Sequence, residues 1–213
     1  MPHQGALSAP GSKPLVDYLI RQEPRVQRGG WYSHAMHPPT HGMIGWLTGC
    51  GLAHRRDRVL VTAASLMPDI DGIVILCGEA LYGQWHHTFG HNLSMGLVIA
   101  VGAAVVARQR AATAALVFVA FHVHLLCDLL GSGSGWGIPW LWPWSAQEWM
   151  LEPPLQWELV SWQNILTTVI CIMAIAVVGA RRGRTIVEVV SVRADTAVVE
   201  VMQRRLAWVR TRR

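Results

Sequence analysis

Five apolar segments between Thr40 and Ala180 constrain this chain more than any other feature. They run Thr40–Ala53, Val59–Met67, Thr88–Ala107, Ala111–Leu130 and Ile165–Ala180. Arginines follow the first, third and fifth of them, at 55, 56 and 58, at 108 and 110, and at 181, 182 and 184. Within and at the ends of the runs the ionisable groups are His and Asp. A helix that crosses a membrane needs roughly 20 apolar residues, because no water is available there to satisfy an exposed backbone. The third and fourth segments are long enough, and the fifth is if Trp157–Gln163 contributes its start. The first two are short and read as a half-membrane hairpin or as helices that thin the bilayer locally. The pattern predicts an all-α integral membrane helical bundle of four to five helices.

Composition agrees. Of 213 residues, 52% are hydrophobic and 15% charged, against about 25% charged in soluble domains, so neither a disordered chain nor an ordinary soluble domain fits. Eleven Trp stand against three Phe and three Tyr, and Trp favours membrane–water interfaces. The net charge of +5 comes from 18 Lys and Arg, which flank apolar runs and form no stripe along one helix. No nucleic-acid partner is expected from that arrangement. Cys50, Cys77, Cys127 and Cys171 form no Cys-x-x-Cys pair and read as buried free thiols. No basic segment followed by an apolar run opens the chain, so no cleavable leader is read there. Residues 1–38 read as a mobile polar tail with one short helix near Leu15–Arg21, residues 39–183 as the membrane-embedded domain, and 184–213 as a basic C-terminal tail. Within that tail Ile186–Met202 fits either a small hairpin or an amphipathic helix.

The ionisable residues of the apolar segments carry the functional signal, since burying one in a membrane costs a few kcal/mol on insertion scales. His41 opens the first segment, and Asp69 and Asp71 close the second. His86, His87 and His91 open the third, and His122, His124 and Asp128 lie late in the fourth. If consecutive segments are antiparallel neighbours, all of these converge at one end of the bundle and the arginine clusters at the other. Asp128 follows His124 by four residues, which places the two on one helical face, while His122 points elsewhere. Neutral imidazole with carboxylate is a ligand set for zinc, and also for manganese or iron. Four His and three Asp exceed one tetrahedral shell, so one or two ions fit. Taken singly, each residue has a plainer explanation: a helix cap for His41, a turn for Asp69, a core hydrogen bond for His124 with Asp128. Their convergence carries the weight. His3, His34, His37 and His54 are assigned to tail or basic loop, and His87 and His122 to supporting positions or to none. Trp136, Trp140, Trp142, Trp144 and Trp149 read as an interfacial belt or as a lid over the site.

The order Thr40-His41-Gly42-Met43, Pro68-Asp69-Ile70-Asp71, His86-His87-Thr88-Phe89-Gly90-His91-Asn92, His124-Leu125-Leu126-Cys127-Asp128 and Trp142-Pro143 resembles the YdjM-like membrane-bound metal-dependent hydrolases, over about residues 36–180. The family is itself distantly similar to zinc-dependent phospholipase C enzymes. The resemblance implies motif residues at His41, Asp69, Asp71, His86, His91, His124 and Asp128. Where the family reads His-Arg-Gly-x-Thr-His-Ser, this chain carries His87, Thr88, Gly90 and Asn92 in place of Arg, Gly, Thr and Ser. The ligand-type histidines are kept, and the guanidinium is not.

The resulting expectation is a membrane-bound metal-dependent hydrolase acting on a phosphoester or lipid substrate. Its metal ligands would be drawn from those seven residues, with Asp69, Asp71 or Asp128 available as general base. Membrane lipids are the expected surroundings. A transporter or proton- or metal-conducting protein, and a structural protein with a helix-stapling metal, are the alternatives. Fourteen of the 18 basic residues fall at the arginine end and four (Lys13, Arg21, Arg25, Arg28) at the other. The excess of basic residues on cytoplasmic loops then predicts a multi-pass cell-membrane protein with its metal site on the non-cytoplasmic face.

Overall fold

The computed structural model describes residues 38–78, 81–82, 85–133 and 137–211. The polar tail, with its expected short helix, and Trp136 lie outside the described residues. Among these, the chain is all-α: six α-helices and two 3₁₀ segments, with an isolated β-bridge between Ile138 and Trp149. In chain order they are α1 (Pro38–Gly49), α2 (Arg55–Ala64), a 3₁₀ segment (Pro68–Cys77), α3 (Leu93–Val106), α4 (Arg110–Gly131), α5 (Trp162–Arg182), a 3₁₀ turn (Ile186–Val189) and α6 (Val192–Thr211).

Local chemistry sets most of these boundaries. Pro38 and Pro39 occupy the first turn of α1, where a missing N–H costs nothing. Pro68 opens the 3₁₀ segment, where its missing N–H costs nothing, and α2 and the 3₁₀ segment meet there at a bend of 53°. Asn92 caps α3 by accepting from the Met95 N–H at 2.9 Å, and so shortens the third apolar run. The helix begins at Leu93 rather than Thr88 and has 14 residues, about 21 Å at ~1.5 Å per residue, which falls short of a span. Asp57 accepts from the Arg108 and Gln109 N–H groups, both at 2.8 Å, and places an anion where the α4 dipole is positive. Ser161 caps α5, and Gly183, at φ 65°, ends it in left-handed backbone.

Two helices, α4 and α5, are long and apolar enough to cross a membrane, or three if α2 and the 3₁₀ segment make one broken span. Small residues bring α2, α3 and α4 together: Ala64, Ala100, Ala103 and Ala120 pack with Leu52, Val61 and Val117. This is the close approach by which apolar helices associate where water supplies no driving force. α5 packs along α1 and leaves Val169, Ile170, Ile172, Met173 and Val177 exposed, the composition expected of a lipid-facing surface.

The C-terminal segment folds back onto the bundle. Asp195 of α6 accepts from the Thr185 N–H and hydroxyl, and a Cβ at Gly179 would meet the Met202 methyl at 3.1 Å. The four thiols are free, as expected, but only Cys171 is buried. Cys77 is exposed at the end of the 3₁₀ segment.

Candidate metal centre

Alternating helix direction brings the expected residues together. His41 lies in the first turns of α1, which runs away from it, and α2 returns to its C-cap, Ser65. The loop before α3 carries His86, His87 and His91, and the late turns of α4 carry His124 and Asp128. The side chains of His41, His91, His124 and Asp128 have no exposure, while Asp69 keeps 18%.

Asp128 is the hub. Its Oδ2 lies 2.9 Å from His124 Nε2 and 3.3 Å from His91 Nε2, and its Oδ1 lies 3.2 Å from His41 Nε2. Asp69 Oδ1 lies 3.5 Å from His124 Nε2. One ligand atom from each of Asp69, His91, His124 and Asp128 falls within 4.8 Å of the others, a spacing that could hold one ion. His41 stacks on His124, ring centroids 3.8 Å apart, and stands beside this group as a fifth donor.

The opposite ring nitrogens settle which atoms face inward. His91 Nδ1 meets Asp71 Oδ2 at 3.0 Å, and His124 Nδ1 meets the Ser65 carbonyl at 2.7 Å. A carbonyl accepts only, so His124 carries its proton on Nδ1 and turns the Nε2 lone pair toward Asp128, the second-shell arrangement of metal-binding imidazoles. Meanwhile His41 Nε2, His91 Nε2, His124 Nε2, Asp69 Oδ2 and both Asp128 oxygens are buried without a hydrogen-bond partner. Buried polar atoms are normally paired. Ring nitrogens and carboxylate oxygens facing one another at about 3 Å call for a proton or a metal ion between them, and the donor set could hold a divalent metal.

Asp71 and His86 stand one layer out. Asp71 Oδ1 meets His86 Nδ1 at 2.8 Å, and its Oδ2 also accepts from the Gly90 N–H at 3.2 Å. Asp71 therefore orients His91 in this structure, and Tyr82 stacks on His86 at 4.5 Å. Burial alone would depress His91, but Asp71 and Asp128 outweigh it and push it up to about 10, which measures how strongly this pocket attracts positive charge. His87 is buried at φ 66°, backbone that few side chains adopt. Burial, then His91 and His86, keep it well below its ordinary value. His122 points away, as the helical spacing requires. Its Nδ1 donates to the Phe118 carbonyl at 2.8 Å, and a Cβ at Gly96 would meet its ring at 2.6 Å.

Sequence reasoning missed three supports. Ser65 orients His124 through its carbonyl, and its hydroxyl donates to the His41 carbonyl at 2.9 Å. Gly45 lets α1 approach this serine, since a Cβ there would fall 2.0 Å from Ser65 Oγ. Gly90 lies so close to the Pro68 carbonyl that a Cβ would fall 2.5 Å from it. A Gly in an apolar segment signals close approach, but sequence does not say to what. Of the aromatic loop, Trp140 and Trp142 are held by their carbonyls, which accept from the Leu93 N–H and the Ser94 hydroxyl, both at 2.8 Å. Trp144 and Trp149 are exposed.

No curated protein and no solved structure matches the chain. The family model described as YdjM inner membrane protein matches residues 36–207, which extends past residue 180 to take in α6. With His41, Asp69, Asp71, His86, His91, His124 and Asp128 gathered at one end of an apolar helical bundle, the chain belongs to the YdjM inner membrane protein family.

Proposed function

We propose that this membrane protein is a metal-dependent hydrolase of a phosphoester or lipid-ester substrate. Its metal would be held by His41, Asp69, His91, His124 and Asp128, zinc being the ion that best suits this mixture. Asp71, His86 and the Ser65 carbonyl would position those ligands. The observation that carries the reading is the set of three imidazole Nε2 atoms turned on two carboxylates, buried and without hydrogen-bond partners. A divalent ion held there supplies Lewis acidity, polarising a scissile group and bringing the pKa of water from 15.7 toward about 7. Asp69 is the least sealed member of the set, so substrate would approach past it, and its Oδ2 is placed to take a proton. Ile70, Ile73 and Leu76 of the segment that carries Asp69, and Phe89 of the following loop, are exposed, apolar surface that suits an acyl chain better than a soluble sugar phosphate.

The four-membered group Asp69, His91, His124 and Asp128 also equals a closed structural shell, which keeps a helix-stapling metal as the second reading. A transport pathway is less well supported, because α5 carries no Asp, Glu, His, Lys or Arg between Trp162 and Ala180. The test is a screen of purified protein against phosphoester and lipid-ester panels, after chelation and after return of zinc or manganese. Hydrolysis lost with chelator and regained with metal is expected. Stoichiometric metal with no turnover on any member would favour the staple.

A further inference from the structure

At the end of the bundle opposite the histidines, arginines outnumber the anions available to them. Arg58 takes both oxygens of Glu188, with Nε 2.6 Å from Oε1 and Nη2 2.5 Å from Oε2. Trp46 Nε1 donates to the same carboxylate at 3.0 Å. Among the described residues Arg55 donates to carbonyls, those of Glu188 and Val189. Arg182 Nη1 and Arg184 Nη2 both donate to the single carbonyl of Cys50, at 2.8 and 2.9 Å. Two cations thus crowd one neutral oxygen while the nearby carboxylate is already bound bidentately. Arg184 Nε is buried and has no hydrogen-bond partner. Burial first, and then the neighbouring Arg58 charge, hold this guanidinium below its ordinary range.

The location identifies the missing anion. Arg182 is the last residue of α5, a helix long and apolar enough to span, so the pair stands where a bilayer places its phosphates. Val190 follows the turn whose Val189 carbonyl Arg55 holds, and it is 89% exposed, with Val192 beside it at 55%. Arg184 lies within electrostatic reach of Glu188, two residues before Val190, and guanidinium groups short of an anion at the same end as an uncovered apolar side chain match a molecule that is phosphate at one end and hydrocarbon at the other. We propose that Arg182, Arg184 and Val190 form a binding site for the phosphate and upper acyl chain of an anionic phospholipid in the leaflet at that end. Free phosphate shares the headgroup chemistry and differs in lacking the chain.

The test uses the full chain, purified in mild detergent and stripped of lipid. Binding of phosphatidylglycerol, phosphatidylcholine and inorganic phosphate is read by native mass spectrometry and by thermal unfolding. Selective retention of phosphatidylglycerol is expected. An arginine near an anionic membrane surface contributes about 1 kcal/mol, which is about fivefold in affinity. Arg182→Gln and Arg184→Gln should each weaken phosphatidylglycerol by about that factor, and the double variant by roughly 25-fold. Arg204→Gln, at an exposed pair with Glu200, should leave binding unchanged. Arg182 is exposed, so its variant should fold, and unfolding in the absence of lipid checks this. Val190→Ser should weaken phosphatidylglycerol and leave the response to phosphate alone. Equal retention of the two lipids by the parent, or parental affinity in the double variant, would overturn the proposal. Inorganic phosphate reproducing the whole effect of phosphatidylglycerol would overturn the lipid as its source.

Discussion

His122 and His124 lie on one helix two residues apart, and the structure gives them opposite fates. His124 places Nε2 2.9 Å from Asp128 Oδ2, gives Nδ1 to the Ser65 carbonyl at 2.7 Å, and stacks on His41. His124→Ala removes one donor from the candidate shell and leaves a fully buried carboxylate without its nearest partner. Leaving a buried carboxylate uncompensated costs about 3–5 kcal/mol, and the lost bond to Ser65 adds about 1 kcal/mol. The protein should lose most of its bound metal and, since metal binding contributes folding free energy, much of its thermal stability. His122 is half-buried, and its one hydrogen bond is to its own helix. His122→Ala should cost about 1–2 kcal/mol through lost packing over Gly96 and leave the metal in place. Metal per protein by elemental analysis, with unfolding temperature for both variants and the parent, decides it. Equal metal loss in both variants would refute the geometric assignment, and no loss in either would remove α4 from the site.

Asp71→Asn should lower metal affinity about 10–100-fold without abolishing binding, the usual effect of weakening a carboxylate that orients a ligand imidazole, as read by competition with a chelator. Gly45→Ala drives a methyl to 2.0 Å from Ser65 Oγ and should cost about 1–3 kcal/mol, visible in the unfolding temperature. Burial pushes Glu188 up, but Arg58 and Trp46 outweigh it, so its carboxyl lies below its ordinary value in the folded protein. The stability it contributes is therefore present above the unfolded value of 4.5 and lost as pH falls through the folded value. Glu188→Gln should flatten the unfolding temperature across that acidic window and change its slope little near neutral pH. For orientation, single cysteines at Ser134 and Gly183, in a background without native cysteines, should react with an impermeant reagent in intact cells at 134 and not at 183, and the reverse would invert the molecule.

The gathering of ionisable groups at one end was legible because it rests on helix direction alone. Segment ends alternate, and His41, Asp69, His91, His124 and Asp128 fall at the ends that coincide. The divergence of His122 was legible for a similar reason, since two residues along a helix turn a side chain to another face. What sequence did not carry is contact made across long separations. Nothing local to Asp57 says that it caps a helix beginning at Arg110, and nothing in a serine inside an apolar run says that its carbonyl will hold a histidine 59 residues on. Asp71 shows the same limit. Its residue type and spacing match a ligand, yet only the fold reveals that both its oxygens face ring nitrogens of His86 and His91. The length of α3 was misjudged because an apolar run of 20 residues reads as one helix, whereas Asn92 inside it offers a cap that ends the run early.

The two proposed readings of the metal centre differ in one structural requirement, and Asp69 is the residue on which it turns. A stapling ion gains from complete burial, because every ligand then keeps its partner and water is excluded. A hydrolytic ion needs one side through which substrate and water arrive. His41, His91, His124 and Asp128 come from α1, α4 and the loop before α3 and are fully sealed, which suffices to tie those elements together. Asp69 comes from the 3₁₀ segment after a bend of 53°, is the one donor of the five with 18% exposure, and is followed by exposed Ile70. A staple would not require that segment to leave the helical path there. The bend brings the one partly exposed donor to the centre, and with His41 available as a fifth donor, four sealed ligands remain even if Asp69 is engaged by a proton instead of the ion.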